Sequence, residues 1–165
     1  MAQTANRKGP ITSPLADSER DITGKALQST LVDLIDLHLV AKQAHWNVVG
    51  PFFRSVHYQL DELVNTARQY ADDVAERSVT LGMPPDGRAG TVYETSGAPR
   101  FGEGWKSDHE VIQAITTTLA ELISRLRPRI DETDKTDLVT QDLLIQIADA
   151  LEKAHWMWQA QLAQH

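Results

Sequence analysis

Apolar side chains recur along the chain in alternating steps of three and four, the spacing of one face of a helix. Leu27, Leu31, Leu34, His38, Ala41, His45 and Val48 form the first such stripe, with Asp17 or Ser18 placed to cap its start. Gly50-Pro51 closes it, because glycine suits the residue after a helix and proline cannot continue the hydrogen-bond ladder. A second stripe restarts near Phe52 or Phe53 and runs through Val56, Leu60, Leu63, Ala67, Tyr70 and Val74 to Gly82, before Pro84-Pro85. The stretch GMPPDGRAGTVYETSGAPRFGEG follows, with a short helical turn predicted around TVYET. A third helix is predicted from about Ser107, with Val111, Ile115, Leu119, Leu122 and Leu126 inward and Pro128 expected to kink or weaken its last turns. Asp137 opens a fourth, with Leu144, Ala148, Leu151, His155 and Trp158 on one face. Residues 1–16 mix Pro, Ser, Thr, Gln and Asn and read as a flexible N-terminal tail. No internal repeat and no strand-like alternation interrupts this pattern.

Two helical hairpins joined by one long connection therefore make up residues 17–165. Short links make neighbouring helices antiparallel. A link of some two dozen residues is long enough to return along the whole bundle, so the second and third long helices run parallel. The predicted fold is all-α, a ferritin-like four-helix bundle with one long crossover between its second and third helices.

Composition changes the picture in two places. The chain of 165 residues has no cysteine, which excludes disulfides, thiolate metal sites and a cysteine nucleophile. Any metal site is then built from His, Asp and Glu, a set that favours iron, manganese or zinc. The net charge of −7 disfavours nucleic-acid binding through the overall field and suits attraction of cations. The N-terminus lacks the apolar segment of a secretory signal, and no apolar run approaches the roughly 20 residues of a membrane span. A cytoplasmic location, with no membrane partner, is expected.

The chemistry concentrates in HWNVVGPFFRSVHYQLDE, from His45 to Glu62. His45 and His57 stand at similar distances on either side of the Gly50-Pro51 break, so an antiparallel hairpin brings them level. His57 and Asp61 are i and i+4, neighbours on one helix face, and so are Asp72 and Glu76. Asp61, Asn65, Arg68, Asp72 and Glu76 also read as a solvated flank, with Arg68 pairing to Asp72. At about 1.5 Å per residue, Asp61 and Asp72 lie roughly 16 Å apart along the helix. Ligands sit about 2 Å from a metal ion, so one chain cannot bring both acidic pairs to the same ion. Either the pairs are unrelated, or a two-fold copy of the helix delivers Asp72 and Glu76 to His57 and Asp61.

HWNVVGP, VHYQLDE and ADDVAER resemble the signature of the Dps family, the ferritin-like DNA-binding proteins from starved cells. The resemblance spans all four helices and is sharpest from about Asp36 to Met83. It implies an iron site shared across a two-fold dimer, with His45, His57 and Asp61 from one subunit and Asp72 and Glu76 from its mate. It implies a hollow homo-dodecamer that takes up ferrous iron, oxidises it preferentially with hydrogen peroxide as a ferroxidase, and stores ferric mineral, protecting the cell from oxidative damage. Trp46 is placed beside the iron site, where it would trap radicals; an interface packing residue reads the same way.

Other residues are weighed against this assignment. His38 matches no ligand position and reads as structural. Glu152-Lys153-Ala154-His155 is an E-x-x-H sequence, but di-iron bundles use two such motifs and no second one is present, so His155 reads as a packing residue beside Trp156 and Trp158. Asp131, Glu132, Asp134, Asp137 and Asp142 form an acidic run that reads as a solvated loop with Asp137 as an N-cap. The resemblance makes Asp137 and Asp142 candidates for lining an iron-entry pore. A second function is a DNA-compacting, nucleoid-associated protein of stationary phase and starvation that binds iron secondarily. The tail offers only Arg7 and Lys8 for that role, and AQLAQH offers none, although twelve tails would act together.

Overall fold

The computed structural model describes residues 9–163. Four long helices, α1 Asp17–Asn47, α2 Phe53–Thr80, α4 Asp108–Thr133 and α5 Leu138–Gln159, enclose the core, and a short α3, Ala89–Thr95, lies on the crossover. The predicted stripes are the buried faces. Leu27, Leu34, Val56, Leu60, Ile115, Leu119, Leu144 and Leu151 are shut off from solvent in one continuous cluster.

Contacts at the helix ends fix the topology. Thr23 near the start of α1 donates to Thr136 beyond the end of α4, whereas Val48–Val49 after α1 pairs with Lys106–Ser107 before α4. Hence α1 and α4 are antiparallel. Arg77 near the end of α2 reaches Asp137 at the start of α5, and Phe52 at the start of α2 bonds Asp108 at the start of α4. So α2 and α4 run parallel, and residues 81–107 carry the chain back along the bundle, as the two-hairpin reading requires.

Several details differ from the sequence expectation. The N-cap of α1 is Ala16, not Asp17 or Ser18. Its N–H donates to the Glu19 carboxylate at 3.0 Å, so a side chain one turn on does the capping. The helix expected to kink or weaken at Pro128 runs through it to Thr133. A two-residue parallel bridge, β1 Val48–Val49 with β2 Lys106–Ser107, was not anticipated. Residues 1–8 of the expected tail lie outside the described residues. Residues 9–16 hold no helix, but Leu15 packs on the core and the Ile11 carbonyl lies against Gly82. Among the described residues no helix is long and apolar enough to cross a membrane.

Candidate metal centre

The first hairpin brings its two histidines together. After Asn47 the chain leaves the helix through β1, turns at Gly50 with φ +133°, and re-enters helix at Phe53. Only glycine adopts that φ without strain. The turn sets the His45 and His57 rings 3.6 Å apart and nearly parallel, 23° from coplanar. His45 Nδ1 lies 3.1 Å from the His57 carbonyl oxygen, and His57 Nδ1 lies 3.0 Å from the His45 carbonyl oxygen.

Those reciprocal bonds decide the tautomers. A carbonyl oxygen only accepts, so each Nδ1 carries the hydrogen, and in the neutral ring each Nε2 keeps a bare lone pair. An imidazole held by a backbone carbonyl at one nitrogen, with the other free, is the arrangement that orients histidine toward a metal. Asp61 supplies a third donor. His45, His57 and Asp61 each offer an atom within 4.8 Å of the others, the one such group among the described residues. His45 is buried and Asp61 half-exposed, so the group opens outward.

Lys42, which sequence reasoning missed, joins this group. Its ammonium donates to Asp61 Oδ1 at 2.5 Å, and the same oxygen lies 3.3 Å from His45 Nδ1. The Lys42 bond holds the Asp61 carboxyl below the usual range, outweighing the opposing desolvation, and the neighbouring imidazoles add to the effect. The signal was present in sequence as Lys42 three residues before His45, one helical turn away. A cation arriving at Asp61 must displace this ammonium. Lys42→Met is therefore expected to tighten divalent-metal binding about tenfold, the scale of one charge interaction screened near a surface. A competition titration against a metal indicator checks this, and equal or weaker binding by the variant would remove Lys42 as a competitor.

Asp72 and Glu76 are not part of the cluster. Both are exposed on α2, and among the described residues neither they nor Arg68 enter an ion pair. The Arg68–Asp72 pairing of the solvated-flank alternative is thus not formed. Trp46 is 64% exposed next to His45. His38 is half-buried, its Nδ1 without a partner among the described residues, and burial with the nearby Arg68 charge pushes its pKa down. In the E-x-x-H sequence, Glu152 is committed to Arg127 at 2.6 Å and His155 stands apart from the metal-type cluster.

The two pore candidates separate. The Asp137 carboxylate is 8% exposed, accepts from Arg77 at 2.6 Å, and caps α5 through the Thr140 N–H and hydroxyl. Burial alone would raise its pKa, but Arg77 and Thr140 outweigh it and hold the carboxyl low. Asp137 is an inward-facing N-cap rather than a free pore acid. Asp142 is exposed and, among the described residues, bonded only to Gln146 one turn along α5.

A one-crossover four-helix bundle with a His–His–Asp cluster at the end of its first hairpin is of the ferritin-like class, and a ferritin-like domain model matches residues 24–165. A DNA protection during starvation protein from Mycolicibacterium smegmatis is 38% identical over 152 residues, covering 90% of this chain and 81% of that protein. A solved Mycobacterium smegmatis Dps superposes with a TM-score of 0.89 at 36% identity, over 93% of each chain. A Dps from Microbacterium arborescens, solved in a high iron form, gives a TM-score of 0.87 at 32% identity, over 93% of this chain and 99% of that one. The chain belongs to the Dps family.

Proposed function

We propose that the protein is an iron-storage and detoxification protein, a ferroxidase that oxidises ferrous iron at sites shared between two subunits and keeps the ferric product inside a hollow homo-dodecamer. The observation that carries this reading is the His45–His57 pair. Each ring is held at Nδ1 by the other's backbone carbonyl, which leaves its Nε2 lone pair free, and the two histidines stand with Asp61 as half a ligand set. Asp72 and Glu76, exposed and unpaired on the same helix, are the other half, given to a two-fold mate. Imidazole and carboxylate together suit ferrous iron. The high iron form of the Microbacterium arborescens protein supports iron as the substrate.

Two ferrous ions and one hydrogen peroxide, with two waters, give two ferric oxyhydroxide units and four protons. The peroxide bond takes both electrons, so no hydroxyl radical is released. The ligands hold the ions, the locked imidazoles keep Nε2 free, and exposed Trp46 stands beside the site to intercept stray radicals. Asp142 and its acidic neighbours draw cations toward the shell. The relatives' names speak of protecting DNA in starvation; at a net charge of −7, removal of iron and peroxide accounts for that better than binding. A gel shift surviving moderate salt would reverse this preference.

The direct test adds ferrous iron and then hydrogen peroxide to purified protein, followed by size fractionation. Iron is expected to elute with a species near twelve subunits. Precipitated iron beside a small apo-protein would defeat the reading.

A further inference from the structure

The turn that levels the two histidines is held from outside the hairpin. The Asp108 carboxylate, in the first turn of α4, accepts the Phe52 N–H at 2.7 Å through Oδ2 and the His109 N–H at 2.8 Å through Oδ1. It is 7% exposed and lies flat on Gly50. A Cβ there would stand 2.5 Å from Oδ2 and 2.7 Å from Cγ, so the fit has no slack. Beside it, Val48 and Val49 pair with Lys106 and Ser107. The Phe52 N–H is one that α2 itself cannot satisfy, because it precedes the first helical turn.

We propose that Asp108 is a positioning residue for the metal centre: by fixing the Gly50–Phe52 turn it sets the phase of α2 against α1, and so holds His45 and His57 in their reciprocal bonds. His45 lies three residues before β1, and His57 five after the capped Phe52, so little chain lies between the clamp and either ring. If the clamp is lost, the turn relaxes, the Nδ1–carbonyl bonds loosen, and the two rings lose the single tautomer that leaves Nε2 free for a metal. This inference rests on the metal reading for its consequence, but its geometry can be tested without metal.

Three variants separate shape from charge. Asp108→Asn keeps an oxygen for the Phe52 N–H at the same length. Asp108→Glu keeps the charge but adds a methylene where Gly50 leaves no room. Asp108→Ala removes the clamp. In metal-free protein labelled with 15N-histidine, solid-state NMR is expected to show His45 and His57 as single Nδ1–H tautomers in the wild type and in Asp108→Asn. Mixed tautomers are expected in Asp108→Ala and Asp108→Glu, with helical content unchanged by circular dichroism. In parallel, cobalt(II) half-saturation should rise about tenfold in the Ala and Glu variants at unchanged stoichiometry, the low end of losing a ligand-orienting group. Wild-type tautomers in Asp108→Ala, or rescue by Glu equal to Asn, would overturn the positioning role. A wild type whose histidines are locked yet bind no cobalt would instead overturn the metal reading, and with it the site Asp108 is said to serve.

Discussion

Two variants that are each inactive should regain ferroxidase activity when their subunits are mixed. The first, His45→Ala with His57→Ala, lacks the imidazoles. The second, Asp72→Ala with Glu76→Ala, lacks the exposed acids. Each alone is expected to lose at least about a hundredfold in peroxide-driven iron oxidation, more than loss of one outer-shell partner costs. In a two-fold pair of unlike subunits, one site combines the second variant's histidines and Asp61 with the first variant's acids, and is whole. The opposite site keeps only Asp61. Random co-assembly makes about half the pairs unlike, so about a quarter of the sites should be restored. If all five residues served one chain, no mixture would contain a complete set, and activity would stay at background. Helix geometry motivates the test: Asp61 and Asp72 are separated by roughly three turns of α2, about 16 Å. The exposed, unpaired state of Asp72 and Glu76 leaves their carboxylates open to a second chain. Oxidation rates of the two variants, measured separately and after co-refolding, decide it.

What could be seen in the sequence followed from periodicity. Leu27 through Val48 and Val56 through Val74 each trace one helix face, and both are buried apart from the half-buried His38 and Tyr70. The Gly50-Pro51 break put His45 level with His57, and i,i+4 spacing put Asp61 beside them. These are local rules, so sequence carries them. The β1–β2 bridge is two residues long on each side, too short to show any alternation, and it joins positions 58 apart. Asp108 caps a helix start that is likewise remote in sequence. Lys42 was hidden for another reason: a lysine one turn from His45 reads as surface charge until the Asp61 carboxylate is seen against it. In the acidic run the N-cap reading of Asp137 holds, but composition cannot tell Asp137, turned in to Arg77, from Asp142, turned out.

Removing Asp33 is expected to destabilise the bundle strongly. Asp33 on α1 is 2% exposed and meets two arginines of α4, Arg129 at 2.8 Å and Arg125 at 3.0 Å, whose side chains are 13% and 28% exposed. Arg129 also donates to Thr30 at 3.3 Å. Asp33→Ala opens a gap and leaves two guanidinium groups facing each other with no counter-charge. Breaking a buried pair in this way costs about 3 kcal/mol, toward the lower end because Arg125 keeps some water. For a chain of this size that lowers the melting temperature by roughly 6–12 °C. The loss should come from the stranded arginines more than from the missing attraction. Burying three charges already carried a desolvation cost, and an apolar set of similar volume avoids it. Asp33→Leu with Arg125→Met and Arg129→Met is therefore expected to recover most of the loss. Calorimetry at matched protein concentration makes the comparison. A triple variant as unstable as Asp33→Ala would show that the ion cluster itself, by fixing the register of α1 on α4, holds the bundle together.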